Sequence, residues 1–434
     1  MKNLLYGIYC FLISALFILL LPIVGIYIVL TGKHRKGFGE RLGIIPLNIR
    51  KQFTKPIKIW IHAASLGEVR VAISIIRALE KFIPESSLLL STTTEHGHSL
   101  ALETFKGRLP IIFAPIDFIG SVKMALTRLN PDIMVFLETE IWPTWITEAK
   151  RMGCRNMLLN GRISARSVRQ YKKFRFFFRI VLGKMDLFSM ISEEDAIRIQ
   201  SMGAQLEKIK VNGNAKYDLL SDSLSKEKEV EIRKVYNAQN NEPVIIAGST
   251  RGGEEIKLLY AFKRILQRFP KALLIIVPRH LTRVQEIEHL VSSHGFRYQL
   301  RSSFDGIKHK RQSQIVIVDR FGELFSLYSI GDINFCGASL VPLGGQNPLE
   351  AAIWGKIVFY GPYMDDFLDA TSLLESVEAG IVVDNEDILS QKILWYLEHP
   401  EILQKSGERA RDAVLSNRNA AEKHAGTILD LLNR

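Results

Sequence analysis

Short apolar runs alternate with stretches of helical period along most of this 434-residue chain. Runs at Lys58–His62, Ser87–Ser91, Leu109–Phe113, Ile133–Leu137, Asn156–Leu159, Leu187–Ile191 and Ile209–Val211 predict strands, and patterns such as Glu68–Phe82 and Ser121–Leu129 predict helices between them. The runs are apolar at consecutive positions, as strands buried on both faces by crossover helices should be. A second series follows at Val244–Ala247, Ala272–Val277, Gln314–Val318, Asp332–Phe335, Ile357–Tyr360 and Gly380–Val383. Between the series lies a polar stretch, Tyr217–Glu242, the best candidate boundary. The pattern predicts an α/β protein of two Rossmann-like domains whose parallel sheets face a cleft, where ligands of such folds bind. The expected division is an anchor over 1–32, a first domain over 33–216, a linker over 217–242 and a second domain over 243–434 that ends in closing helices.

The N-terminus breaks the βα rhythm. Leu4 to Leu30 contains no charged side chain. As a helix this stretch extends about 40 Å, more than the roughly 30 Å of a bilayer's hydrocarbon core. It is too long for a signal peptide, and no small-residue cleavage site follows. The basic cluster Lys33-His-Arg-Lys36 favours a catalytic part on the cytoplasmic side of a membrane. Pro22 and Gly25 leave both a spanning and a one-leaflet helix open.

Composition adds direction. A hydrophobic content of 47% with 24% charged residues excludes a disordered chain. The net charge of +12 calls for anionic partners: nucleic acid, a membrane surface or phosphorylated substrates. The basic residues are not evenly spread. Arg151 to Lys184 holds ten Arg or Lys and no acid, interleaved with Tyr171, Phe174, Phe176, Phe177 and Phe178. That mixture suits an anionic membrane surface contacted through Arg162–Lys184, or a lipid-phosphate site, more than a nucleic-acid groove. Cys10, Cys154 and Cys336 lack metal or redox spacing and read as buried free thiols. His62, His96, His98 and His280 match no standard ligand set, so no metal site is expected.

Candidate chemistry sits where predicted strands give way to helices. In His62-Ala-Ala-Ser-Leu-Gly-Glu-Val69, Glu68 opens a helix and becomes a general base if its surroundings raise its pKa. In Phe136-Leu-Glu-Thr-Glu-Ile-Trp-Pro143, the spacing of Glu138 and Glu140 places both on one side of an extended segment. Gly213-Asn-Ala-Lys216 supplies a cation able to neutralise charge on a phosphate. The second half offers Ala247-Gly-Ser-Thr-Arg-Gly-Gly-Glu254, Val277-Pro-Arg-His280, Asp319-Arg-Phe-Gly-Glu-Leu324 and Gly344-Gly-Gln-Asn-Pro-Leu-Glu350. In the last, Asn347 is a good N-cap and Pro348 suits a first helical position, so the expected helix Leu349–Trp354 presents N–H groups and a positive dipole end to phosphate. Glu350 is placed to accept hydrogen bonds from a ribose.

As an ordered set, these segments together with Asn160-Gly-Arg162 and Tyr360-Gly-Pro-Tyr363 resemble the Kdo (3-deoxy-D-manno-octulosonic acid) transferases of lipopolysaccharide synthesis. The resemblance implies a metal-independent GT-B glycosyltransferase without cofactor. Its donor would be CMP-Kdo and its acceptor the bisphosphorylated, tetraacylated glucosamine disaccharide precursor of lipid A. It implies that Glu68 accepts the acceptor's proton and that Glu138 and Lys216 stabilise the transition state. It further implies CMP binding by Pro278, Arg279, Phe321, Gly322, Glu323, Asn347, Pro348, Leu349 and Glu350. Phe321 stands where Met is common in the family, and Gln346 where His is common; the second departure bears on contacts at the glycine turn. Two other readings of the residues stay open: a GT-B enzyme using a UDP-sugar on a lipid acceptor, and a membrane-tethered protein that binds acidic lipids without catalysis.

Overall fold

A computed structural model describes residues 2–31, 35–222, 224–239, 241–304 and 309–432 of the chain. Lys33 and His34 of the basic cluster lie outside this range, as do 223 and 240 of the expected linker. The chain forms two compact units, one of Met1–Leu219 with Arg418–Arg434 and one of Leu220–Asn417.

The first unit is built on a seven-stranded parallel sheet. Its strands are β1 (Ile57–Ala63), β2 (Ser86–Thr92), β3 (Ile111–Phe113), β4 (Ile133–Leu137), β5 (Arg155–Gly161), β6 (Leu187–Met190) and β7 (Ile209–Val211), in spatial order 3-2-1-4-5-6-7. The consecutive apolar residues divide between two cores by the strand period of two. Ile59 and Ile61 join Val135 and Leu159 against the helix Leu66–Phe82, while Trp60 joins Met134, Phe136 and Leu158 against the helices Ile119–Leu129 and Pro143–Arg151. The order reverses between β1 and β4. Such a switch point opens a crevice at the strands' carboxyl ends, where α/β proteins bind ligands.

The second unit repeats the plan. Its strands are β8 (Val244–Thr250), β9 (Leu273–Pro278), β10 (Tyr298–Leu300), β11 (Ile315–Ile317), β12 (Ile333–Cys336), β13 (Val358–Tyr360) and β14 (Gly380–Val382), all parallel, in order 10-11-9-8-12-13-14. The switch point here falls between β8 and β12.

Several expectations need correction. The last helix, Ala420–Leu432, belongs to the first unit and not to a 243–434 domain, because Ala420, Ala421, Ala425 and Ile428 bury themselves in the core shared with Leu66–Phe82. The stretch read as a linker is largely helical, over Lys216–Asp222 and Lys226–Val235, the second capped by Ser225. β10 carries no apolar run; it is a half-buried edge strand with Gln299 at its centre. His96 and His98 stand in the first turn of a helix, Glu95–Phe105, capped by Thr94.

The N-terminal apolar stretch is one helix, Lys2–Thr31, with Pro22 inside it, and Leu4–Ile23 is long and apolar enough to cross a membrane. One face meets the first unit: the Tyr6 hydroxyl donates to Glu148 at 2.8 Å, the Tyr9 hydroxyl to Asp117 at 2.7 Å, and Phe17 stacks on Phe118. Phe11, Leu12, Leu16, Leu19 and Ile23 are exposed. Cys10, at the margin of the packed face, is half-exposed where a buried thiol was expected, whereas Cys154 and Cys336 are buried; all three are free.

Candidate active site

At the first switch point, the loop after β1 places Glu68. Ser65 caps the helix Leu66–Phe82: its hydroxyl accepts the Glu68 N–H at 3.3 Å and donates to the Glu68 carboxylate at 2.9 Å. The other carboxylate oxygen reaches back to the Ala64 N–H at 2.7 Å. This reciprocal cap pins the side chain at the strand's carboxyl end. Only 7% of Glu68 is exposed. Burial, reinforced by the negative charge of Glu140 and by that of Glu138, pushes its pKa up to about 7, despite the hydrogen bonds from Ala64 and Ser65 that favour the ionised form.

The loop after β4 supplies both neighbours, though not as an extended segment. β4 ends at Leu137 and Glu138 takes a left-handed conformation at φ 53°, a strained geometry for a residue other than glycine. Its N–H donates to the Leu159 carbonyl at 3.1 Å and its own carbonyl accepts the Arg162 N–H at 3.3 Å, so β5 and Arg162 just beyond it hold the twist. The two carboxylates then meet different partners. Glu138 lies 2.6 Å from the Lys216 ammonium. Glu140 accepts from the Trp142 indole and faces the buried His62 imidazole at 3.6 Å. His62 is held in turn by Ser91 at 3.0 Å and by the rings of Trp142 and Trp145. The sequence pattern pointed to Glu68, Glu138, Glu140 and Lys216 but not to this His62–Glu140 contact, whose signal was a histidine flanked by Ile61 and Ala63 in β1.

In the second unit the organising residue is one that sequence reasoning did not single out. Glu254 opens the helix Glu254–Arg268 after β8 and is fully buried. One of its oxygens accepts the Arg251 N–H at 2.9 Å and the Ala338 N–H at 2.7 Å; the other accepts Ser339 and Leu340, both at 2.9 Å. Four backbone donors on one carboxylate tie the loop after β12 to the loop after β8, across the switch point. Beside it, Glu255 holds Arg283 through both guanidinium nitrogens, at 2.6 and 3.1 Å, which fixes the turn after β9. Pro278 ends β9 buried and Arg279 stands exposed just beyond it, its N–H on the Thr250 carbonyl.

The glycine turn after β12 is real: Gly344 and Gly345 sit at φ 85° and 80°, and a Cβ on either would collide with Asp366 or Met364. The helix it feeds is a single turn, Leu349–Ala352, so the dipole argument made for a longer helix carries little weight. The N-cap is Pro348 and not Asn347, one residue later than expected; Asn347 accepts the Leu349 N–H at 3.1 Å, while Pro348 and Leu349 are buried and offer a ligand only backbone. Glu350 is half-buried, its charge felt by Tyr328 and Cys336. Phe321 is 77% exposed on a turn whose Gly322 has φ 93°, an uncovered ring able to stack on a base. The Glu323 carboxylate, expected to meet the nucleotide, is engaged by Tyr236 at 2.7 Å and Arg301 at 2.9 Å. Among the described residues no group of three or more His, Cys, Asp or Glu is arranged to hold a metal ion.

Two doubly wound units with acidic and basic groups gathered at their switch points define the GT-B class, and comparison with known proteins agrees. A glycosyltransferase from Rickettsia africae superposes with a TM-score of 0.61 at 17% identity, over 87% of this chain and 98% of that one. A UDP-GlcNAc 2-epimerase from Neisseria meningitidis gives 0.59 at 15%, over 87% and 100%. At these identities the likeness is one of fold. The family is set by sequence. A family profile described as 3-deoxy-D-manno-octulosonic-acid transferase (kdotransferase) matches residues 36–219. The 3-deoxy-D-manno-octulosonic acid transferase of Chlamydophila psittaci is 31% identical over 90% of this chain and 88% of its own length, and that of Haemophilus influenzae 29% over 95% of each. A bifunctional glycosyltransferase/methyltransferase of Fusobacterium nucleatum is 35% identical over 75% of this chain, which spans half of that protein's length. The chain belongs to the Kdo transferase family of glycosyltransferases.

Proposed function

We propose that this protein transfers Kdo from CMP-Kdo to a hydroxyl of the tetraacyl, bisphosphorylated glucosamine disaccharide precursor of lipid A, by direct displacement with inversion. The observation that carries the mechanism is Glu68, a buried carboxyl with a pKa near 7, fixed by the Ala64 N–H and Ser65 at the carboxyl end of β1. Such a group takes up a proton at neutral pH. Glu68 accepts the proton of the acceptor hydroxyl as its oxygen bonds to the anomeric carbon, and the carbon–oxygen bond to the phosphate breaks to release CMP. Glu138 favours positive charge building on the anomeric carbon, and Lys216 favours negative charge building on the departing phosphate.

The second unit binds the nucleotide. Arg279 supplies a fork for phosphate, Phe321 a face for the base, Glu350 an acceptor for the ribose, and the turns at Gly322 and at 344–349 backbone donors and acceptors, with Pro278, Glu323, Asn347, Pro348 and Leu349 shaping them. Arg279 meets the phosphate charge with a guanidinium, and the reaction needs no metal. The helix Lys2–Thr31, with the exposed Phe174 and Phe176 amid the basic residues of Arg162–Lys184, holds the protein on the cytoplasmic face of the inner membrane, where the lipid acceptor lies.

Mass spectrometry of the products formed from CMP-Kdo and the lipid A precursor tests the reading. Addition of Kdo supports it, undiminished by EDTA. Stabilisation of the protein by UDP but not CMP favours a UDP-sugar donor instead, and absence of any CMP release favours a non-catalytic lipid-binding protein.

A further inference from the structure

The loop that carries Lys216 is held from the far end of the chain. His424, in the last helix, is fully buried with Ser189 of β6. Its Nε2 lies 3.0 Å from the Gly213 carbonyl oxygen and its Nδ1 2.7 Å from the Ser189 hydroxyl. A carbonyl can only accept, so Nε2 carries the hydrogen and Nδ1 accepts from Ser189. The Ser189 oxygen then accepts the Asn212 amide at 2.6 Å, and every polar atom along this chain has its role assigned. Burial also lowers the imidazole's pKa, to about 4, which keeps the ring neutral and this tautomer in place.

Gly213 is the pivot of the loop, at φ 87° where only glycine sits without strain. Beyond it, Asn160 accepts the Ala215 N–H at 2.8 Å and Asn214 accepts that of Lys216 at 3.1 Å. On the other side of Lys216, the Asp218 carboxylate accepts the Ala421 N–H of the last helix at 2.7 Å. Lys216 therefore stands between two attachments to one helix, and that helix is packed on Leu66–Phe82, which begins beside Glu68.

We propose that His424 is a positioning residue for Lys216: by fixing the Gly213 carbonyl it sets where the ammonium meets Glu138 and the reacting phosphate. The proposal rests on the transition-state role of Lys216. A merely structural histidine would cost the same whether or not Lys216 is present, whereas one acting through Lys216 would not, and a mutant cycle separates them.

The test measures kcat and KM for CMP-Kdo, with the melting-temperature shift caused by CMP, in His424→Ala, Lys216→Ala and the double variant. His424→Ala should lower kcat about tenfold or more, as displacement of a catalytic cation does, with KM and the CMP shift unchanged. His424→Gln, which keeps an N–H for the Gly213 carbonyl, should recover part of the loss. Added to Lys216→Ala, His424→Ala should cost less than about twofold. If His424→Ala yields no folded protein, Ser189→Ala, which removes the donor to Nδ1, takes its place in the cycle. Equal losses in both backgrounds overturn the proposal while leaving the role of Lys216 intact. An unchanged kcat for Lys216→Ala removes that role and the proposal with it.

Discussion

The Lys216 ammonium lies 2.6 Å from the Glu138 carboxylate, with Lys216 a third exposed and Glu138 15% exposed. The pair joins two loops, after β4 and after β7, and each member steadies the other. Lys216→Ala and Glu138→Ala should each lower kcat by about 10²-fold, the scale of losing one group that meets transition-state charge. The double variant should fall little below the worse single one, since each substitution already disables the other member. Steady-state kinetics of the three proteins decide it, and fully multiplicative losses would mean the two residues act separately.

Glu140 raises the proton affinity of Glu68 from a position set by His62 and Trp142. As the proposed base, Glu68 works when ionised, so kcat/KM should rise with pH through about 7. Glu140→Gln removes a negative neighbour, which eases ionisation of Glu68. The acidic limb of the profile should then move to lower pH, with part of the rise remaining above the ordinary carboxylate range because burial, the larger cause, persists. A limb that stays in place or moves upward would contradict this arrangement.

The same burial makes Glu68 a cost to stability. Its folded pKa of about 7 exceeds the ordinary carboxylate value of 4.5, so the protonated form is the one the fold favours. That contribution is present below pH 4.5 and is lost as pH rises through 7, reaching on the order of 3 kcal/mol. Glu68→Gln, which cannot ionise, should therefore gain in melting temperature relative to wild type as the pH is raised from 5 to 8. A difference that stays flat over this interval would show that the carboxyl is not strained by ionisation.

Glu350 follows the turn of Gly344 and Gly345, and the proposed nucleotide site gives it a ribose hydroxyl to accept from. Glu350→Ala should weaken CMP about tenfold or more, the scale of a hydrogen bond to a charged group. Calorimetry with CMP and with 2′-deoxy- and 3′-deoxy-CMP reads it directly. At least one deoxy compound should bind the wild type more weakly than CMP does and bind the variant as well as CMP does; equal CMP affinity for variant and wild type would remove the role.

Much of the fold was legible because the strands are buried on both faces. Trp60 and Ile61 face opposite cores, so no polar residue interrupts the run. β10 escaped for the converse reason, as an edge strand with half-buried side chains has no such signature. The positions of Glu68 and Lys216 at strand ends followed from the βα rhythm. The left-handed turn at Glu138 did not, since nothing local distinguishes it from extended backbone; Leu159 and the Arg162 N–H impose it from β5. Partners distant along the chain were equally invisible. Glu323 is held by Tyr236 and Arg301, and Ala420 packs beneath Leu66–Phe82, through tertiary contacts that no spacing announces.

As proposed, Glu68 removes the acceptor's proton while the second unit binds the nucleotide. The most direct measurement is the transfer rate of Glu68→Ala with CMP-Kdo and the lipid A precursor, taken beside its CMP affinity. Glu68→Ala should lose about 10²–10⁴-fold in kcat with CMP affinity unchanged; transfer at close to the wild-type rate would show that Glu68 is not the base.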